Sequence, residues 1–140
     1  MSADSDISID EIAIITRPGA VSRRCERPSV ERALGPYRKL AHIQRPGILD
    51  GGDVLVVGKN IHIGISSRSD VHAVNQVHAL VADLGYRVTG IHVRGYLHLK
   101  SAVTAISDDT LLMNPAWVDA ADLSGRTCIS VDPSEPAAAN

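Results

Sequence analysis

The sequence contains no phenylalanine, one tryptophan and three tyrosines in 140 residues. Without large aromatic plates, a core has to be packed from Ile, Val, Leu and Ala. Cysteine is scarce as well. Cys25 and Cys128 alone are too few for a disulfide-rich scaffold and fit a reducing, cytoplasmic compartment. Charge of one sign is also lacking. Lys plus Arg number 14 and Asp plus Glu 16, a formal net charge of -2. There is no basic excess to drive nucleic-acid binding by counterion release. No apolar run approaches the ~20 residues of a membrane helix. The opening Met1-Ser-Ala-Asp-Ser-Asp-Ile-Ser8 has neither the basic start nor the apolar centre of a secretory signal. Nucleic acid and membrane are therefore not expected partners. What is present, 44% hydrophobic and 21% charged residues, is the composition of a globular chain. The length suits a single domain of ~100–150 residues.

A repeat organises the apolar runs. Asp53-Val-Leu-Val-Val57 and Ile61-His-Ile-Gly-Ile65 flank Gly58-Lys-Asn60 and read as a β-branched hairpin. Ser69 and Asp70 offer N-cap chemistry. Val71, Val74, Val77, Leu80 and Val81 follow at helical spacing up to Leu84. Gly85 closes that helix, and Val88 to Val93 is a further strand. The order strand, strand, helix, strand recurs downstream. Ala102 to Ile106 and Thr110 to Met113 form a second hairpin, Asn114-Pro115 open a helix to about Leu123, and Thr127 to Val131 is the closing strand. A less complete copy lies upstream, with Ile7 to Ile9, Ile12 to Ile15, a short helix over Ser29 to Leu34 and a strand from Leu40 to Gln44. The second hairpin strands begin near Ile12, Ile61 and Thr110, a spacing of about 49 residues, which predicts stacked units sharing a core.

Segments just past strand ends are the best places for chemistry, since loops carry function on a rigid scaffold. Asp50-Gly-Gly-Asp53 combines two acids with glycines that allow close backbone approach. It could fix a cation or be an acid-decorated turn. His98, after Gly95-Tyr96-Leu97, could be an acid–base catalyst, because imidazole changes charge near neutral pH, or a packed or surface histidine. Arg23 and Arg68 could grip a carboxylate in bidentate fashion or be solvated cations. Cys25 lies beside Arg23, Arg24 and Arg27, and positive neighbours favour a thiolate. It is either a nucleophile or an inert small side chain. Cys128 falls in an apolar strand pattern and is expected in the core. Metal binding is not expected. His72 and His78 are six apart and do not share a helix face, His42, His62 and His92 are scattered over strands, and no CxxC or HExxH spacing occurs.

Four segments in fixed order are more specific than any one of them: Ile14 to Ala20 with Ser22-Arg23-Arg24, Leu49-Asp-Gly-Gly-Asp-Val54, Gly64-Ile-Ser-Ser-Arg68 and Leu97-His-Leu-Lys-Ser101. Together they resemble the dimethylarginine dimethylaminohydrolase (dimethylargininase) family of the guanidine-modifying superfamily, which also includes arginine deiminase and the amidinotransferases. The resemblance runs from about Ile7 to Asn140. It implies an α/β fold of pentein type, a propeller-like ring of five strand–strand–helix–strand modules. About three of these would lie here, within a single partial domain over 1–140 and at about 5–46, 53–94 and 99–133. It also implies roles. Asp50 would bind and orient the substrate guanidinium, His98 would be the catalytic histidine, and Arg23 and Arg68 would hold the substrate α-carboxylate. A cysteine thiolate would attack the guanidinium carbon, and neither metal nor organic cofactor would be needed.

The departures from the family pattern are equally specific. Its nucleophilic cysteine lies in a late module, and neither Cys25 nor Cys128 matches it. At Cys25 the family has glycine. An acidic substrate-contacting segment precedes the point that matches Met1. These departures imply a partial chain, inactive alone, that meets an arginine derivative and either a second copy or a complementing chain. The alternatives are an arginine deiminase-like hydrolase, or a non-enzymatic remnant serving as an arginine-like ligand-binding or assembly module.

Overall fold

The computed structural model describes residues 6–9, 12–17, 39–94, 98–123 and 125–135. The fold is α/β. Nine strands form three separate three-stranded sheets, each with its strands in sequence order. β1 (Asp6–Ile9) and β2 (Ile12–Ile15) pair antiparallel, and β3 (Lys39–His42) joins β2 in parallel. β4 (Val54–Val57), β5 (Asn60–Ile65) and β6 (Arg87–His92) repeat that arrangement, as do β7 (Val103–Ser107), β8 (Thr110–Met113) and β9 (Thr127–Ser130). A two-residue turn joins β4 to β5 and β7 to β8, whereas a parallel pair needs a crossover.

The crossover of the second sheet shows how local sequence builds it. Helix α1 (Val71–Val81) starts at Asp70, whose carboxylate accepts the Ala73 N–H at 3.0 Å and the Ile48 N–H at 3.2 Å. An N-cap acid satisfies one of the donors a helix start leaves open. Ala73, Val77 and Val81, four apart, form its buried stripe. Val71, expected on that face, is half exposed at 51% because it precedes the stripe's first turn. A short 3-10 turn (Ala82–Leu84) ends at Gly85, whose φ of 82° is left-handed and is open to glycine without a Cβ penalty.

Two expectations need correction here. The stretch from Asn114 to Leu123 is not an α-helix. It is a series of turns ending in a 3-10 helix over Ala120–Leu123. The Asn114 side chain accepts the Ala116 N–H at 2.9 Å, and Asp119 accepts that of Ala121 at 3.0 Å. These local side-chain bonds compete with the helical ladder. Residue 102 also ends a short helix, α2 (Leu99–Ala102), rather than beginning the strand. The helix expected over Ser29 to Leu34 lies outside the described residues.

Both faces of the second sheet are covered. Val54, Ile61 and Ile63 pack with Ala73, Val77 and Val81 of α1 and with Ile7, Ile9 and Ile14 of the first sheet. Val57 and Ile91 face the other way, into a cluster with Leu99, Val103, Leu111 and Met113. The largest fully buried side chains are Ile, Leu and Met, each stabilising by roughly 1.5–3 kcal/mol on burial. The aromatic residues Tyr86 and Trp117 pack against the two clusters from partly buried positions. Cys128, expected in the core, is only half-buried because β9 lies at the edge of its sheet.

Candidate active site

The end of β5 and the approaches to β4 and β7 meet around three sequence-selected residues. Asp50 follows the isolated bridge between Arg17 and Leu49 and caps the 3-10 turn Gly51–Asp53, accepting the Gly52 N–H at 3.1 Å. It is 3% exposed. His98 occupies the N-cap position of α2 but makes no side-chain cap bond. Its Nε2 lies 3.4 Å from Asp50 Oδ2. Arg68, on the turn after β5, places Nη1 2.8 Å from the same Nε2. That turn is pinned by the Ser66 hydroxyl, which accepts the Arg68 N–H at 3.1 Å, and by the Ser66 N–H bonded to the Ser69 carbonyl at 2.9 Å.

The Arg68 contact selects between the imidazole tautomers. A guanidinium only donates, so the contact is a hydrogen bond in the tautomer whose Nε2 accepts and whose proton is on Nδ1. A proton on Nε2 would instead point its bond at Asp50. Arg68 and Asp50 thus compete for one nitrogen, and moving Arg68 away hands it to the acid. Gly52 allows the ring to sit so close. A Cβ there would meet His98 Nδ1 at 2.9 Å.

Beneath this layer, Asp53 and Ser69 act as a buried clasp that sequence reasoning did not assign. Ser69 Oγ donates to Asp53 Oδ2 at 2.7 Å and accepts the Asp50 N–H at 3.0 Å. Asp53 Oδ1 accepts the Leu99 N–H at 2.9 Å. Burial pushes the Asp53 carboxyl above its ordinary value, against the Ser69 and Leu99 hydrogen bonds, which pull it down, while the Asp50 charge pushes it up. The Asp-x-x-Asp spacing leaves a cation site and an acid-decorated turn both open. The structure uses the second acid to hold backbone and hydroxyl donors. Ser69, considered as a helix cap, is this clasp's hydroxyl, and Asp70 is the cap. Among the described residues, no group of three or more His, Cys, Asp or Glu could hold a metal ion.

Arg23 and Cys25 lie outside the described residues. Cys128 sits on β9 with Sγ 3.9 Å from the Arg126 carbonyl and takes no part in the Asp50–His98–Arg68 cluster.

A buried acid, a histidine within reach of it and an arginine thus converge at one end of the second sheet. The family model described as arginine deiminase matches residues 30–136, and the chain belongs to that family. A curated relative from Streptomyces coelicolor, N(G),N(G)-dimethylarginine dimethylaminohydrolase, is 40% identical over 124 residues, covering 88% of this chain and 48% of the relative. The Pseudomonas aeruginosa protein of the same name is 30% identical over 139 residues, covering 98% of this chain and 55% of its own. A solved structure of the Pseudomonas aeruginosa enzyme, a cysteine-to-serine variant complexed with citrulline, superposes with a TM-score of 0.88 at 28% identity, over 99% of this chain and 55% of that one. The three sheets are therefore units of the pentein-type α/β propeller. The chain spans about half the length of the curated relatives it matches.

Proposed function

We propose that this chain carries the guanidinium-binding and acid–base half of a hydrolase that converts N-methylated arginine to citrulline and a methylamine. The observation that carries this reading is the convergence of Asp50 and Arg68 on one nitrogen of His98. Asp50 would hold the guanidinium by charge-assisted hydrogen bonds. Arg68, together with Arg23, would take the α-carboxylate, and in doing so Arg68 would leave His98 Nε2. A cysteine thiolate would add to the guanidinium carbon. As the C–N bond breaks, His98, entering this step as the imidazolium, would give one proton to the departing amine, leaving a thiouronium and a neutral ring. Water would then lose a proton to His98 and attack the same carbon, and the C–S bond would break to release citrulline and thiolate. No cofactor is required. Neither Cys25 nor Cys128 is in a matching position, so the thiolate would come from residues beyond these 140 or from another polypeptide, either a second copy or a complementing chain. The three repeats, at about 5–46, 53–94 and 99–133, would act as one domain in the cytoplasm. No helix among the described residues is long and apolar enough to cross a membrane.

The test separates binding from turnover. Citrulline titrated into the chain should shift the His98 ring resonances saturably, and Asp50→Asn should weaken that response at least tenfold. The reading is abandoned if citrulline leaves His98 untouched. Citrulline formation from dimethylarginine by the chain alone, abolished by Cys25→Ser, would make Cys25 the nucleophile. The match to the arginine deiminase family favours a second reading, in which arginine itself is hydrolysed. Parallel assays with arginine and dimethylarginine, in the presence of the thiolate-bearing segment, decide between the two. Ile106 and Ile129 stand 59% and 47% exposed on the third sheet, which favours an assembly role as the remaining alternative. Concentration-dependent oligomers without citrulline binding would support it.

A further inference from the structure

A polar cavity of about 400 Å³ opens at the other end of the strands from Asp50, near the starts of β5, β6 and β9. Its size falls within the ~300–1,000 Å³ of small-molecule pockets. His62 lines it, 5% exposed, with neither ring nitrogen hydrogen-bonded among the described residues. Buried polar groups are nearly always paired, and leaving one unpaired costs stability. The fold does not demand a histidine there. By strand register, the corresponding third residue of the middle strand is Ile14 in the first sheet and Leu112 in the third. Two repeats solve the position with an aliphatic side chain. The second spends it on an imidazole facing a cavity.

The walls define what that cavity can hold. Arg126 spans the gap between sheets, donating to the Val57 carbonyl at 3.1 Å and to the Asp108 carbonyl. These contacts use two of its five N–H groups and fix the guanidinium plane. Burial, and then the charge of Arg126, push the His62 pKa down, so the ring presents one N–H and one lone pair. The Asp109 carboxylate is engaged by the Ser107 and Thr110 hydroxyls at 2.8 and 3.4 Å. The carboxylates of Asp108 and Asp122 also line the cavity, together with the Arg87 guanidinium, so its lining carries both signs of charge. A metal ion fits poorly, because the Arg126 charge acts on the only imidazole present. A simple anion would meet Arg126 but leave the Asp108 and Asp122 carboxylates unanswered, whereas a ligand with both charges answers each.

We propose that this cavity binds a small zwitterion of the free amino-acid type, its carboxylate held by Arg126 and the His62 N–H and its ammonium by Asp108 and Asp122. The site is separate from the Asp50–His98 cluster and does not depend on the reaction assigned to it.

The probes are glycine, L-alanine, acetate and methylammonium, added to the full chain while the His62 ring signals are followed by NMR and assigned by their loss in His62→Leu. Glycine and alanine should shift those signals saturably, with half-saturation at least tenfold below that of acetate or methylammonium. Arg126→Gln should raise it at least tenfold. If that variant loses its dispersed spectrum, Asp122→Asn carries the test, weakening glycine tenfold while leaving acetate unchanged. The response should persist in His98→Ala, which keeps this site distinct from the other. Equal effects of acetate and glycine, loss of the response in His98→Ala, or a ring indifferent to every solute, as for a cavity holding water only, each overturn the proposal.

Discussion

The Asp53 carboxylate accepts the backbone N–H of Leu99 at 2.9 Å across 46 residues of sequence. One bond thereby ties the acid-bearing approach to β4 to the turn that presents His98. Ser69 completes the tie by bridging Asp53 and the Asp50 N–H. Removing the carboxylate should orphan two buried donors, at about 1–3 kcal/mol each. Asp53→Ala is expected to lower the denaturant midpoint strongly. Asp53→Asn, whose amide oxygen can still accept from Leu99, should lose less than half as much. Urea melts of the two variants check this, and equal losses would show that the Leu99 bond contributes little.

The same carboxyl gives a pH signature. Its folded pKa is raised above the ordinary value of 3.8, chiefly by burial. A group that binds its proton more tightly when folded stabilises the fold below the unfolded pKa, and that contribution fades as pH rises through the folded pKa. The stability of the native chain relative to Asp53→Asn should therefore fall as pH climbs upward from about 3.8. Melts of both proteins over that range, taken as a difference, isolate the single titration. A flat difference, or one rising with pH, contradicts it.

Gly52 is a sharper probe of His98 than a substitution of the histidine itself. A Cβ would sit 2.9 Å from Nδ1, but the imidazole is 23% exposed and can swing outward. Gly52→Ala should cost only about 1 kcal/mol, the low end for overpacking. It should nevertheless break the alignment of Nε2 with Asp50 and weaken citrulline binding several-fold. A large loss of stability with binding intact would mean that the ring is fixed and the backbone moves instead.

The hairpins, the repeat and most of the site could be read in the sequence because they rest on short-range signals. Strand alternation, Gly58-Lys59 between two β-branched runs and Asp70 before a helical stripe all act over a few residues. Asp50, His98 and Arg68 were found in their segments, but what they do to one another was not. The sharing of one nitrogen depends on how β5 and α2 meet in space. The Asn114–Leu123 segment was misread as a helix because its apolar spacing suits one, while the bonds from Asn114 and Asp119 to nearby backbone N–H groups favour turns. Spacing leaves Asp53 open between a cation ligand and a turn acid and offers Ser69 as a cap, and only the fold shows the Leu99 N–H that the acid serves. Arg23 was read as a carboxylate ligand and lies outside the described residues.

Asp70 joins two elements through one carboxylate oxygen, which caps α1 at Ala73 and accepts the Ile48 N–H ahead of Asp50. An ordinary cap loss costs about 1 kcal/mol and the strongest about 2. With a second donor orphaned, Asp70→Ala should fall at the upper end. Amide exchange should speed up at both Ala73 and Ile48. Faster exchange at Ala73 alone would show that the loop before Asp50 is held by other contacts.

Arg68 and His98 provide the last and most direct test of the site. With Nη1 2.8 Å from Nε2, the guanidinium donates and the ring must accept there, placing its proton on Nδ1. Nitrogen-15 shifts of the neutral His98 ring should show an unprotonated Nε2 in the native chain. Arg68→Gln takes away the cation that competes with Asp50, so the proton should move toward Nε2 and the two nitrogen shifts should converge or exchange order. Because Arg68 is exposed, stability should change by no more than about 0.5 kcal/mol, so any change in the ring comes from the lost donor rather than from unfolding. Citrulline added to the native chain should move the shifts in the same direction, because a substrate carboxylate draws Arg68 off the ring as the substitution removes it. Identical ring shifts in the native chain and in Arg68→Gln would mean that Arg68 does not set the tautomer, and the coupling of carboxylate capture to release of the histidine would fall with it.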